Sequence, residues 1–484
     1  MMPRRGRTAI PGLSILTILL ALPGPAGALR AQAPDTLATE VSEVVAIDAP
    51  VVALTHVQVV DGTGAPPMAD QTIVIDDGRI VAVGPAAEVD VPDNAEVLDL
   101  AGHTVIPGIV GMHNHTFYTT AGRRAQLTFS APRLYLGSGV TTIRTTGSYH
   151  PYSELSLQAA IERGEVPGPR MHVTGPYLTG GGGVSYMTQL AGPEDARRVV
   201  GYWADEGVTW FKAYTLISRA ELGAVIDEAH ERGLKVTGHL CSVSFQEAVE
   251  LGIDNLEHGF FTNTDYEPGK PPDECPEGFR ENLLTLDMEG AEVQATFDDM
   301  IENGVAMTST LAIYELIVPD RPPLEDRVLD VLAPEARADY LESREEIAAN
   351  AAESDWPEIF RRAQAYEKAF VEAGGLLAAG VDPTGIGGAP PGFGDQRNYE
   401  LLIEAGFTPV EAIEVMTANG ARVLGEYDQY GSIEEGKLAE LVVIDGDPIA
   451  NHAEIRNVTL VFKDGLGFDS AKLIESVQGL VGIR

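Results

Sequence analysis

Positive charge is what this chain has least of: 33 Lys and Arg side chains face 72 Asp and Glu among 484 residues, a formal net charge of −39. Such a balance argues against nucleic acid as a partner, because a large net negative charge repels phosphates. Lysine is scarcest, occurring only at Lys212, Lys235, Lys270, Lys368, Lys437, Lys463 and Lys472. An acidic, lysine-poor surface suits a saline habitat, where screening weakens self-repulsion, and it equally suits a high-GC genome that favours arginine. Cysteine is limited to Cys241 and Cys275, so the chain has at most one internal disulfide. Long apolar runs are also missing. The one near the start, Leu13 to Leu22, follows Arg4, Arg5 and Arg7 and precedes small-residue sites at Ala26-Gly27-Ala28 and Ala31-Gln32-Ala33. It is too short for a comfortable membrane span and has the layout of a secretory signal peptide over residues 1–33, so the protein is expected to be exported, periplasmic or secreted. Adjacent arginines leave a twin-arginine route open beside ordinary secretion or a retained anchor. Residues 34–49 read as a polar, extended linker.

What is present is a series of potential ligands at the ends of short apolar runs. Val105 to Val110 leads into Gly111-Met112-His113-Asn114-His115. In a strand, residues i and i+2 share a face, so His113 and His115 can aim at one ion while Asn114 faces away. Two neighbouring histidines are by themselves more often surface or core residues. Downstream, Lys212 closes Gly207-Val208-Thr209-Trp210-Phe211, His239 closes Leu234 to Gly238, His258 closes Ile253 to Glu257, and Asp382 closes Gly374 to Val381. A lysine in such a run is costly to bury unless it is paired or modified, and a neutral lysine can add carbon dioxide to become a carbamate that bridges two cations. A carboxylate at Asp382 can ligate a metal and accept a proton from bound water. Taken singly, His239 and His258 read as satisfied core histidines and Lys212 and Asp382 as buried ion-pair members. Together, six such donors in one order fill the length that an eight-stranded α/β barrel needs.

With these residues the sequence resembles the amidohydrolase superfamily, in the subgroup with two metals and a carboxylated lysine, and within it exported Xaa-Pro dipeptidase-like and imidazolonepropionase-like members. The pattern His-x-His, Lys, His, His, Asp is met by His113, His115, Lys212, His239, His258 and Asp382. The likeness extends through Ala229 to Leu234, Thr417 to Gly425 and Gly431 to Pro448, and covers the chain from about Val51 to Gly467. It implies a (β/α)8 TIM-like barrel over 108–430 flanked by a β-sandwich built from both chain ends, 50–107 and 431–484, the latter including a C-terminal tail. Short β segments at Val51 to Val60, Gln71 to Asp76, Arg79 to Val83 and Ala95 to Leu100, and again at Leu441 to Ile444 and Val458 to Lys463, agree. Barrel strands are expected at Pro107 to His115, Thr141 to Thr146, Arg170 to Gly175, Val208 to Tyr214, Lys235 to His239, Ile253 to His258, Val305 to Thr310 and Leu376 to Asp382, with helices such as Arg219 to Arg232 and Ser244 to Leu251 between them. The long excursions Phe260 to Asn303 and Ala312 to Phe370 are expected to be lids or pocket walls.

The resemblance implies one metal on His113, His115 and Asp382 and a second on His239 and His258, with carboxylated Lys212 and a hydroxide bridging them. Zinc is the default, and manganese, cobalt or iron would fit similar donors. Asp382 would act as general base and then general acid in cleaving a C–N bond of a dipeptide or N-acyl amino acid. Tyr214, on the same strand face as Lys212, is a candidate to hydrogen-bond the developing oxyanion and otherwise a core tyrosine. Tyr118, Arg144 and His150 are weaker candidates for substrate contacts. An ester, lactone or carbamate hydrolase would use the same machinery, whereas a mononuclear deaminase would leave Lys212 without its bridging role. A non-catalytic metal- or ligand-binding relative should have lost Lys212 or Asp382, and neither is lost. Where prolidase-like relatives often carry a histidine, this chain has Gly180-Gly181-Gly182-Gly183-Val184-Ser185-Tyr186, a departure on which their substrate does not carry over directly; no Lys-Ser/Thr follows to make a phosphate cradle. A small-molecule substrate and a homo-oligomer are expected. Cys241 and Cys275 both lie beyond strand ends on one rim, so they either bond in an exported protein or leave Cys241 a small buried hydrophobe.

Overall fold

A computed structural model describes residues 37–482. The expected signal segment and residues 34–36 of the expected linker lie outside the described residues.

Eight parallel strands form a barrel: β1 Ile109–Asn114, β2 Val140–Thr145, β3 in two parts, Arg170–His172 and Thr174–Thr179, β4 Trp210–Tyr214, β5 Lys235–His239, β6 Asn255–Glu257, β7 Ala306–Ser309 and β8 Leu377–Ala379. All eight coincide within a few residues with the strands read from the sequence. Their residues are buried on both faces nearly throughout, as in strands covered on each side, and β1 is buried along its whole length. The ring closes between β8 and β1, where Asp382 N donates to His113 O at 2.8 Å and Val381 N to the Asn114 side chain at 3.2 Å. Helices fill the crossovers. Arg219–Glu231 and Phe245–Glu250 each begin at a capping box, Ser218 with Glu221 and Ser244 with Glu247, which explains their sharp starts.

The flanking sheet expected from both chain ends is present as one nine-stranded sheet. Its halves meet where His103–Pro107 runs antiparallel to Leu441–Asp445. The strand Arg79–Pro85 bonds back to the segment entering Leu441, through Ile80 N to Lys437 O at 2.9 Å and Gly436 N to Ile80 O at 2.8 Å. The sheet therefore curls around its own core of Val52, Leu54, Ile73, Val443 and Phe462. The reading of the linker needs correction. Thr39–Ser42 is a helical turn and Val45–Ile47 a strand paired with Leu466–Asp469, because Val41, Val44 and Ile47 recur at a spacing that buries all three. At the other end the helix Ser470–Glu475 leaves the sheet and packs on Ser130–Gly137, with Ser470 Oγ donating to Gly137 O at 2.5 Å. Among the described residues no helix is long and apolar enough to cross a membrane.

The two long excursions are mainly helical. Phe279–Thr285 and Ala291–Glu302 lie in the first, and Asp326–Val331, Pro334–Ala349 and Trp356–Glu372 in the second. Only a short stretch of the second, Ile313 to Ile317, lines the cavity at the C-terminal end of the barrel.

Barrel closure depends on Gly380. A Cβ there would sit 2.1 Å from His113 N, so β8 could not approach β1. Gly380→Ala should cost about 3 kcal/mol or more, whereas Gly181→Ala, which meets nothing within 4 Å, should be near neutral. Urea unfolding of the two variants checks this contrast.

Candidate metal centre

The six candidate donors stand at the C-terminal ends of five different strands. His113 lies in β1 and His115 just beyond it, Lys212 in β4, His239 at the end of β5, His258 one residue past β6 and Asp382 three past β8. All six line one cavity of about 640 Å³. Two occupy left-handed backbone conformations, His258 with φ 66° and Asp382 with φ 46°. A non-glycine residue held there costs of order 1–3 kcal/mol and persists only where its surroundings enforce it.

The tightest cluster is His113, His115 and Asp382, whose donor atoms lie within 4.8 Å of one another. His113 Nε2 is 3.6 Å from Asp382 Oδ2 and His115 Nε2 is 3.4 Å from Asp382 Oδ1. Donors bonded at roughly 2.1 Å to a tetrahedral ion stand about 3.4 Å apart, so these gaps suit a shared cation. A second group borders the first. The His258 ring lies 4.5 Å from that of His113 and 4.4 Å from that of His239, centroid to centroid. Buried Nζ of Lys212 and Nε2 of His258 have no hydrogen-bond partner, a costly state for a polar atom unless something else satisfies it. This is the test the donor set has to pass for a metal, and the residues fit.

Electrostatics supply the protonation states that ligands need. Burial drives the imidazoles of His113, His115, His239 and His258 down from their ordinary pKa, His239 to about 3, so all four are neutral. Burial also lowers the Lys212 ammonium to about 8 against the opposing pull of Glu257. For Asp382 burial acts to raise the carboxyl, but His113 and His115 hold it below the usual carboxylate range.

Sequence reasoning missed the groups that orient these donors. Glu257, fully buried, accepts from His113 Nδ1 at 2.7 Å, from Arg144 at 2.5 Å and from Thr237 Oγ1, and its Oε1 lies 3.8 Å from Lys212 Nζ. His258 Nδ1 pairs with Thr310 Oγ1 at 2.7 Å. These contacts fix which ring nitrogen faces the cavity. Asn114, facing away from the donors as its parity requires, ties β1 to Val381 and donates to Asp395 at 3.2 Å. The one available signal for Glu257 was an acid inside an apolar run directly before His258.

Tyr214 lines the cavity with its ring 4.7 Å from His239, and burial raises its hydroxyl pKa so that it stays a donor. Tyr177, also missed, opposes Lys212 in the β3–β4 register and brings its hydroxyl to 3.4 Å from His115 Nε2. The three weaker candidates are corrected. Arg144 is fully buried beneath the cavity, held by Glu257 and by Asn255 at 2.8 Å, because an inward arginine on β2 can only be accommodated beside a buried carboxylate. Tyr118 is buried with its hydroxyl bonded to Gly387 O. His150 is exposed before the helix Pro151–Glu162. None of the three lines the cavity. Cys241 and Cys275 are bonded, with Cα atoms 4.9 Å apart, which ties the first excursion to the loop after β5.

Residues 104–329 and 377–466 match the model of the amidohydrolase family, and the chain belongs to that family. Imidazolonepropionase of Geobacillus kaustophilus (strain HTA426) is 24% identical over 436 residues, covering 81% of this chain and 90% of its own. Dihydroorotase of Mycobacterium tuberculosis (strain ATCC 25618 / H37Rv) is 42% identical over 43 residues; the match spans 9% of this chain and only 10% of that enzyme. Among solved structures, a Bifidobacterium longum protein assigned as a prolidase is 26% identical with a TM-score of 0.63, covering 89% of this chain and 99% of its own. A Xaa-Pro dipeptidase with methionine bound in its active site shares the fold at 22% identity and TM-score 0.65, over 87% of this chain and all of that one.

Glu257→Gln should leave Arg144 and Lys212 without a buried counterion and destabilise the metal-free protein by about 3–5 kcal/mol. Urea denaturation measures this, and a loss below about 1 kcal/mol would contradict the role given to Glu257.

Proposed function

We propose that the protein is an exported, metal-dependent hydrolase that cleaves the C–N bond of a dipeptide or N-acyl amino acid. The observation that carries this reading is the convergence of His113, His115, Lys212, His239, His258 and Asp382 on one cavity, with Lys212 Nζ and His258 Nε2 buried and without a hydrogen-bond partner. Family membership supports C–N hydrolysis, and the likeness to the Bifidobacterium longum protein supports a peptide-like substrate. Export draws support from the Cys241–Cys275 bond, which an oxidising compartment preserves.

His113, His115 and Asp382 would hold one divalent ion and His239 and His258 the other, with zinc proposed first for these donors. Lys212 would join them as a carbamate: the neutral amine nitrogen adds to carbon dioxide, loses a proton and presents two oxygens where one ammonium stood. Ions bound there lower the pKa of water and polarise the substrate carbonyl. The remaining work falls to the chain. Asp382, ionised and adjacent to the attacking water, takes its proton and returns it to the leaving nitrogen. The Tyr214 hydroxyl donates to the carbonyl oxygen as charge develops on it. The walls around Ile313, Tyr314 and Ile386 exclude bulk water and hold the substrate against these groups.

Hydrolysis of a panel of dipeptides and N-acyl amino acids, with bound metal measured in parallel, tests the reading. Asp382→Asn should lower kcat by about 10²–10⁴, and chelation should abolish turnover; unchanged activity in either case would defeat the proposal. The pH dependence of reconstitution checks Lys212 separately. Because burial sets its pKa at about 8, the neutral amine is abundant above that value and sparse below it. Stripped protein given metal and bicarbonate should therefore regain activity several-fold faster at about pH 8.5 than at about pH 6.5, and equal rates would count against a carbamate.

A further inference from the structure

Beside the main cavity lies a second of about 400 Å³, walled by Leu216, Cys241, Phe261, Phe279 and Arg280, and the two share His239. His239 is thus the candidate metal donor that borders both chambers. The division between them includes the Phe261 and Tyr314 rings, stacked at 3.6 Å and 7°.

Arg280 distinguishes this chamber. In a chain with 72 acidic side chains against 33 basic ones, nearly every cation finds a partner. Among the described residues, Arg124 and Arg280 are the basic side chains that make neither an ion pair nor a hydrogen bond; Arg124 lies over the rings of Tyr149 and Tyr186 in the main cavity, and Arg280, beside the rings of Phe279 and Trp356, lines the second. Arg280 is also held in place. The Cys241–Cys275 bond pins the chain five residues before it to a point two residues beyond His239, and Arg362 Nε donates to Leu283 O at 2.7 Å at the far end of the same short helix. An exposed guanidinium carried on a tethered helix beside the Phe279 and Trp356 rings, in a protein otherwise rich in carboxylates, is matched to an incoming anion with an apolar body.

We propose that this chamber is the subsite for the carboxylate-bearing residue of the substrate, with Arg280 as the side chain that binds the carboxylate. The inference rests on the proposed hydrolytic function and narrows it. The substrates are N-acyl amino acids or dipeptides with a free carboxylate and an apolar side chain, and the corresponding neutral amides are poor substrates.

A matched pair of compounds tests this with the metal-loaded enzyme: N-acetyl-L-phenylalanine and its primary amide. The wild type should favour the acid. Arg280→Gln should raise KM for the acid by about 10- to 100-fold, the loss of one charge-assisted hydrogen bond, with kcat nearly unchanged and no effect on the amide. Arg280→Lys should recover part of the loss. Equal effects of Arg280→Gln on acid and amide, or no effect on either, would overturn the subsite. Should neither compound be hydrolysed, the proposed function fails for this class, and the subsite is then judged by calorimetric binding of N-acetyl-L-phenylalanine. Binding that weakens at least tenfold in Arg280→Gln supports it; equal binding, or none to the wild type, overturns it.

Discussion

Burial of charge on the barrel axis is the constraint on which the remaining structure depends, and Glu257 is where it is resolved. The carboxylate is enclosed, yet it holds the His113 ring, neutralises Arg144 and stands beside Lys212. Without it, two cations would be isolated in a medium where an unpaired charge is prohibitive. Burial opposes ionisation of this carboxyl, and Lys212 and Arg144 keep it ionised all the same. One acid thus makes tolerable both the arginine that supports β1 and the lysine that faces the cavity.

The rim above this network is assembled from residues under local strain. His258 and Asp382 adopt left-handed backbone conformations, and each is over-determined by its neighbours. The first is fixed through Thr310, and the second by the hydrogen bond its backbone N–H donates to His113 O and by Thr384 Oγ1, which donates to its carboxylate at 2.9 Å. Strain at such positions is characteristic of sites where a side chain must point somewhere that regular structure would not send it. Here both strands end just below the cavity, so the turn aims imidazole and carboxylate at the same space as the β1 histidines.

The parts legible in the sequence were those with a local signature. Parallel barrel strands are buried on both faces, so the short runs that form them stand out whatever surrounds them, and His113 and His115 follow the i, i+2 parity of a strand. The curled sheet was legible as segments but not as a closed object, because the bond from Ile80 to Lys437 joins residues far apart in sequence. Val45–Ile47 escaped notice because three residues carry too little periodicity to register. Arg144, Tyr118 and His150 were drawn to the site by proximity along the chain to β1 and β2. Their real environments are set by Glu257, Gly387 and solvent, none of which a local window reveals. Tyr177 and Arg280 were missed for the same reason: their meaning comes from what they face across a barrel or a disulfide-tethered loop.

The proposed pair of metal ions bridged by a carboxylated Lys212 is tested most directly by X-ray diffraction from the intact protein, with anomalous data collected at the zinc edge. Two anomalous peaks are predicted, one at about 2.0–2.2 Å from donors of His113, His115 and Asp382 and the other from those of His239 and His258, with continuous density extending from Lys212 Nζ to both. A single peak beside an unmodified lysine, or metal bound elsewhere on the molecule, would contradict it.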